Sequence, residues 1–225
     1  MENNLRYERK FSLNSFRRNF VIHQIKSSKL RFYEHHQQRF VNSIYLDTDN
    51  LRSYKQNIDG LKNREKFRIR WYGEFLINGN IALEIKKKNN DLGKKIIFPL
   101  KNELNINLKQ NFNINRINNI LSQSDLPKNI EIILKQLKPK LLIRYRRAYF
   151  ISKIYPIRIT LDDMINYKKI GNNLNFSNLF EKENKQLIVE LKYPPNLSPQ
   201  AFNNFLDLPF RLSRNSKYVE GFNYK

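Results

Sequence analysis

The chain has 225 residues, 40% of them hydrophobic, and with Tyr 12 and Phe 16 it carries enough apolar bulk for a real core in one or two domains. Lys+Arg 42 against Asp+Glu 20 leaves a net charge of +22, which selects polyanionic partners: nucleic acid, anionic membrane or phosphate-rich small molecules. Cys 0 excludes disulfides, thiolate zinc sites and thiol nucleophiles, and Gly 6 without a Gly-rich loop excludes Walker and Rossmann cradles.

Asn, Lys and Ile are abundant throughout, as in chains encoded by AT-rich genomes, so charge alone sets a class of partner and nothing finer. No long uncharged apolar run is present, and "MENNLRYERKF" lacks the apolar core of a signal peptide. A soluble, cytoplasmic chain without a transmembrane segment is expected.

In chain order, "NLRYERKF" sets Arg6, Glu8 and Lys10 against Leu5, Tyr7, Arg9 and Phe11, the period of a strand. "SLNSFRRNFVIH" (12–23) predicts a short helix after it. In "EHHQQ", His35 and His36 are adjacent and face apart on any regular structure, so an exposed loop is expected, not a metal site. "NSIYLD" is a short apolar strand. "TDNLRSYKQNIDG" then reads as a turn region ending at Gly60, with Asp47 and Asp49 as Asx caps. "REKFRIRWYG" (64–73) alternates Lys66, Arg68 and Arg70 with Phe67, Ile69 and Trp71, and "NIALEIKKKN" alternates Ala82, Glu84, Lys86 and Lys88 with Ile81, Leu83 and Ile85. "NINRINNILSQ" (113–123) and "NIEIILKQL" (129–137) carry helical spacing. "KLLIRYRRAYFI" and "PIRITLDD" return to strands, the second with Arg158, Thr160 and Asp162 opposite Ile157, Ile159 and Leu161. "QLIVELKYPP" sets Ile188, Glu190 and Lys192 against Val189 and Leu191 and stops at Pro194–Pro195. "SPQAFNNFLD" starts a helix with Ser198 as N-cap and Pro199 as its first residue. No repeat, linker or composition break interrupts the chain. A single α+β domain over 1–225 is expected, an antiparallel sheet or barrel with helices packed outside.

Taken singly, each alternating strand reads as half-exposed, with its charged face in water. Five of them, however, carry Arg, Lys or Glu on one face and bulky apolar residues on the other, with few Ser or Thr among the charges. In a closed barrel the apolar faces pack outward and the charged faces line a cavity. Unpaired buried cations cost several kcal/mol each, so such a cavity calls for an anion, and a polyphosphate suits forked Arg and point-charge Lys donors. Glu8, Glu84 and Glu190 each precede a lysine by two residues; same-face ion pairing explains this, and so does a carboxylate holding a hard divalent ion against phosphate.

"YERKF", "SIYLDTDNLRSYKQNIDG", "KFRIRWYG", "LEIKKK", "RYRRAYF", "RITLDD", "VELKYP" and "LSRNSKYVEG" occur in the order seen in VTC domains. These are the catalytic domains of polyphosphate polymerases of the vacuolar transporter chaperone type, within the CYTH or triphosphate tunnel metalloenzyme superfamily. The resemblance runs from residue 5 to about residue 222. It implies an antiparallel β-barrel, the triphosphate tunnel, and a divalent metal cofactor, Mn2+ or Mg2+. The implied reaction transfers the γ-phosphoryl of ATP to a growing polyphosphate chain. Carried over by motif, Lys10, Arg68, Arg70, Lys86, Arg147, Arg158, Lys192 and Lys217 are the expected phosphate ligands, with Ser216 assisting. Glu190 is the expected metal ligand, and Glu8 is a second. "RYRR" also offers Arg144 and Arg146, which alternation sets opposite Arg147. Arg6 stands where the superfamily's Glu-x-Glu-x-Lys opening has its first glutamate. That removes one metal carboxylate and points away from the thiamine-triphosphatase and cyclase branches.

The acceptor stays open: water makes an inorganic triphosphatase, a chain end makes a polymerase. A non-catalytic polyanion or nucleic-acid barrel is the remaining alternative, using aromatics such as Phe67, Trp71 and Tyr72. These are expected to alternate with the cations instead of sharing their face, as an outer packing layer. No specific nucleic acid is therefore expected as partner.

Overall fold

The period-two segments become strands in the computed structural model, which describes residues 6–73, 76–77, 81–90, 92–101, 106–107, 114–171, 184–197 and 210–224. They are β1 (Tyr7–Asn14), β2 (Phe32–Asp47), β3 (Asn63–Tyr72), β5 (Ala82–Asn89), β6 (Leu92–Pro99), β8 (Lys138–Ser152), β9 (Arg158–Lys169) and β10 (Gln186–Tyr193). All pair antiparallel in the order β1-β10-β9-β8-β2-β3-β5-β6. A separate ribbon joins β4 (Leu76–Ile77) to β7 (Ile106–Asn107). The large sheet curls until its two edge strands touch: Gly93 N donates to Arg6 O at 3.3 Å, and Lys86 Nζ of β5 meets Glu8 Oε2 of β1 at 2.5 Å.

The outer face is apolar, as the alternation requires. Phe67, Ile69 and Trp71 of β3 and Leu83 and Ile85 of β5 are buried under Ile117 and Ile120 of α3 (Ile114–Gln123) and Ile130 and Leu134 of α4 (Lys128–Leu134). Around the wall, Phe11, Ile159, Leu161, Val189 and Leu191 pack with Val21 and Ile25 of α1 (Arg18–Lys26). Because Ile69 is fully buried on this outer layer, Ile69→Val is expected to cost about 1 kcal/mol of stability. Denaturant unfolding measures it, and tripolyphosphate affinity should stay unchanged.

Several segments depart from the sequence expectations. The turn region after "NSIYLD" contains α2 (Arg52–Ile58). The expected Asx capping is present, but it starts a helix: Asp47 accepts from Thr48 N, Ser53 N and Tyr54 N, and Thr48 Oγ1 accepts from Arg52 N. Asp49 instead pairs with Lys138 and Lys140. The first helix begins later than expected, because β1 runs on to Asn14 and a 3-10 turn covers Ser15–Arg17. β6 was not anticipated. The expected helix at Ser198 and Pro199 lies outside the described residues.

"EHHQQ" is not a loop but part of β2. Register shifts against β8 between Glu34 and His36, and between His36 and Arg39, mark bulges that break the alternation. The bulge brings the adjacent His35 and His36 rings to 4.2 Å centroid separation instead of opposite faces. The same β2–β8 ladder shifts again between Tyr45 and Leu46, and a further shift, at Arg144/Arg146 on the β8–β9 ladder, coincides with Met164 at φ 49°.

The last element, α5 (Lys217–Asn223), covers one end of the curled sheet. Tyr218 OH donates to Asp47 Oδ2, and Tyr218 stacks on Tyr45 at 4.8 Å. Gly221 permits the approach: a Cβ there would lie 2.6 Å from Tyr167 Cδ1 and 2.7 Å from Leu141 Cδ2. No helix among the described residues is long and apolar enough to cross a membrane.

Candidate functional site

Inside the curl is a cavity of about 470 Å³. Among the described residues, thirteen Lys and Arg side chains line it against two carboxylates, Glu8 and Glu190. Every residue expected as a phosphate ligand is on its wall: Lys10, Arg68, Arg70, Lys86, Arg147, Arg158, Lys192, Ser216 and Lys217. Arg144 and Arg146 are not. Arg144 donates to Asn42 Oδ1 and Gly73 O, and Arg146 pairs with Asp163, on the other side of β8.

The strand period puts these groups in one place, and carboxylates fix their orientation. Arg68 donates from Nε and Nη2 to Glu84 Oε2 at 2.8 and 2.6 Å and from Nη1 to Tyr45 OH at 2.9 Å. Arg70 Nη1 stands 3.3 Å from the same Glu84 oxygen, with Nη2 on Tyr145 OH at 3.1 Å. Lys95 of β6 holds the other Glu84 oxygen at 3.1 Å. Burial opposes ionisation of Glu84, but Arg68, Arg70 and Lys95 outweigh it and hold its carboxyl below the usual range. Across the cavity, Arg147 grips Asp162 with Nε and Nη2 at 2.5 and 2.6 Å, and Lys217 Nζ meets Asp162 Oδ2 at 2.5 Å. Asp162 is fully buried, which works against its charge, yet Arg147 and Lys217 depress its pKa to about 2.

Glu190 is held differently. Lys192, Lys10 and Arg147 stand 3.4, 3.7 and 3.8 Å from its oxygens, beyond a short hydrogen bond. Burial again opposes its charge, and Lys192, Lys10, Lys86 and Arg147 hold it well below the usual carboxyl range. Its neighbour in register, Thr160, has a buried hydroxyl with no hydrogen-bond partner among the described groups. An ionised carboxylate with open lone pairs beside an unpartnered hydroxyl suits a hard cation or its bound water. Glu8 is near enough for its charge to be felt by Glu190, but it is engaged by Lys86. Among the described residues no cluster of three or more His, Cys, Asp or Glu forms a complete metal cage. The donor set therefore fits an ion that shares its coordination with phosphate oxygens, the habit of Mg2+.

Sequence reasoning missed several wall residues. Lys66, on the same strand face as Arg68, donates to Ser216 Oγ at 2.9 Å. That Ser216 oxygen also caps α5 and accepts from Asn57. Glu84 and Asp162 were visible as acids on charged faces, but their role as anchors for Arg68, Arg70, Arg147 and Lys217 needs the cross-strand register. Tyr72 corrects the expectation about aromatics. It lines the cavity on the cation face, with the Arg39 guanidinium 4.0 Å over its ring, whereas Phe67 and Trp71 do form the outer layer. Arg39, His35, His36 and Tyr149 complete that mouth, hidden from sequence by the β2 bulges.

A curled antiparallel sheet around a cation-lined cavity, with anchoring acids in its wall, defines the triphosphate tunnel class. The VTC domain family model matches residues 5–224, and the chain belongs to that family. Among solved structures, an adenylyl-cyclase-type protein from Hippeastrum, described as having a dominant triphosphatase activity, aligns at TM-score 0.54 and 12% identity. That alignment covers 98% of this chain and 96% of that one. An adenylate-cyclase-type protein from Bacillus halodurans aligns at 0.53 and 13%, covering 96% of each chain. A protein from Pyrococcus horikoshii aligns at 0.51 and 13%, covering 98% and 99%. At such identities the likeness is one of fold. No curated protein sequence matches the chain significantly.

Proposed function

We propose that the chain is a metal-dependent polyphosphate polymerase, a single catalytic domain working in the cytoplasm, that transfers the γ-phosphoryl of ATP to a polyphosphate chain in its tunnel. The observation that carries this reading is the convergence of thirteen cations on one cavity with the open carboxylate of Glu190 among them. Phosphoryl transfer asks the protein mainly to position its reactants and neutralise charge. Arg68, Arg70 and Arg147 are pre-aimed by Glu84 and Asp162, so their forks lose little freedom when they meet equatorial oxygens. Lys10, Lys86, Lys192 and Lys217 add point charges, and Arg158, exposed at the rim, meets the polyanion on entry. A divalent ion bound by Glu190 with Glu8 would neutralise developing charge on the phosphate oxygens. Ser216 holds Lys66 in place.

An inorganic triphosphatase is the second reading, favoured by the triphosphatase activity of the Hippeastrum neighbour; the same wall would then present the phosphate to water. Incubation with ATP and Mn2+, with products resolved on a gel, separates the two. Chains longer than three phosphates support the polymerase, and orthophosphate alone overturns it in favour of the triphosphatase. The nucleic-acid alternative is tested by competition. Tripolyphosphate is expected to displace any bound oligonucleotide at well below equimolar charge; failure to displace it would remove the tunnel from the binding site.

A further inference from the structure

We propose that Lys66 is a phosphate ligand of this tunnel that takes up a proton as the polyanion enters. The inference rests on the tunnel reading above and names a residue and a coupling that reading does not require. Most cations of the wall already have a carboxylate. Lys10 and Lys192 face Glu190, Lys86 faces Glu8, Arg68 and Arg70 share Glu84, and Arg147 and Lys217 share Asp162. Lys66, half-buried on the cavity wall, has no carboxylate partner among the described residues. Its Nζ rests on the neutral Ser216 Oγ at 2.9 Å, 5.9 Å from the Tyr218 ring centroid.

The charges that act most strongly on it are all cations, and the Glu8 carboxylate on the same wall is taken by Lys86. Lys10 comes from β1, its register partner Lys86 from β5, and Arg64 and Arg68 from its own strand. Ser216, the N-cap of α5, and Tyr218 of α5 face it as well, and α2 contributes Asn57 through the same Ser216 oxygen. Burial, then Lys10, Lys86, Arg64 and Arg68, push the Lys66 pKa well below that of an ordinary lysine. A hydroxyl also suits either form of the amine, since it accepts from the ammonium and donates to the neutral nitrogen.

A triphosphate or chain segment reverses this balance. Its oxygens bring the negative charge that Lys66 lacks, the amine takes a proton from solvent, and the ammonium can leave Ser216 for a phosphate oxygen. The pKa of Lys66 is then lower in the free protein than in the complex, so protons are taken up on binding between those two values. In that window affinity falls as pH rises, by up to tenfold per pH unit for one proton; below it, Lys66 is charged in both states and the coupling vanishes.

The test is calorimetric titration of the protein with sodium tripolyphosphate, metal-free, in two buffers of different protonation enthalpy. The pH is set above the last ionisation of tripolyphosphate, so that the ligand itself contributes no proton. Burial also holds Lys86 and Lys217 below an ordinary lysine, so the readout is a difference: the wild type is expected to take up close to one proton per ligand more than a protein without the Lys66 amine. Lys66→Met should lose that uptake and bind roughly tenfold more weakly, the loss of one charge-assisted contact. Lys66→Arg, charged in both states, should lose the uptake while keeping affinity within about threefold of wild type. If Lys66→Met does not fold, the Lys66→Arg comparison decides alone. Proton uptake equal to wild type in Lys66→Arg overturns the inference and leaves the tunnel reading standing. Absence of tripolyphosphate binding to the wild type overturns both.

Discussion

Asp162→Asn is expected to destabilise the fold by about 3–5 kcal/mol, as measured by urea unfolding near neutral pH. The carboxylate is fully buried, accepts both forks of Arg147 and also receives Lys217. The amide has the same shape but removes the one carboxylate that Arg147 and Lys217 share, leaving Arg147 with only the more distant Glu190 at 3.8 Å. The pH dependence has a definite sign. A folded pKa of about 2, below the usual 3.8, means this stabilisation is fully present above about pH 4 and is lost as pH falls towards 2. Its linked part is roughly 2 kcal/mol, smaller than the mutational loss because the amide also turns an NH2 donor towards the donors of Arg147 or Lys217, whereas protonation removes only the charge. A second readout separates this from ordinary core damage. Tripolyphosphate should stabilise Asp162→Asn more than wild type, because the ligand supplies the missing anion. A loss under 1 kcal/mol, or equal ligand stabilisation of both proteins, would show that the cluster is already compensated by solvent.

Asp162 also illustrates how the tunnel solves a problem its composition poses. A cavity lined by thirteen cations would be costly to fold if each stood alone. The wall instead carries its own acids behind or among the bases: Glu84 under Arg68 and Arg70, Asp162 under Arg147 and Lys217, Glu8 against Lys86. These acids hold the side chains in orientation without cancelling the excess positive charge of the cavity. The expectation that an anion must be bound for the wall to form is thus softened. Among the described residues, eight of the thirteen cations have a carboxylate within 4.0 Å, while the cavity keeps a net positive charge.

How much of this was legible in the sequence follows from where alternation survives. β1, β3, β5, β9 and β10 keep strict period two near the cavity, so the side of Lys10, Arg68, Lys86, Arg158 and Glu190 could be read directly. β2 could not be read, because its bulges place His35 and His36 in one mouth and hide the strand character of "EHHQQ". α2 was hidden for another reason: its apolar face is short, and its start is set by the Asp47 and Thr48 caps after Leu51 in a left-handed conformation. Tyr72 was misplaced because its aromatic character was weighed above its parity with Arg70. The anchors Glu84 and Asp162 show only as residues of the right sign on the right face. Which cation each one holds is a property of cross-strand register, fixed by loops and bulges that the local pattern does not contain.

Glu190→Gln is expected to lower metal-dependent turnover by roughly two orders of magnitude or more while leaving the protein folded. The argument turns on what surrounds the carboxylate. Its cations stand at 3.4–3.8 Å, so the charge contributes less to their orientation than Glu84 or Asp162 does to theirs. The neutral amide can still occupy the site beside Thr160, but it offers a poor ligand to a hard cation. Removing one negative charge from a cationic cavity should simultaneously tighten metal-free binding of tripolyphosphate, by a few-fold at moderate salt. Opposite movements of turnover and metal-free affinity are the signature that separates a metal-binding carboxylate from a structural one. A structural carboxylate would lose both together, as its lysines and Arg147 drifted from the substrate. Steady-state kinetics across a Mn2+ titration, beside metal-free calorimetry, reads both quantities. Near-normal turnover with an unchanged metal requirement would place the metal elsewhere in the cavity. Parallel loss of turnover and affinity would assign Glu190 to the wall's internal compensation, with Glu84 and Asp162.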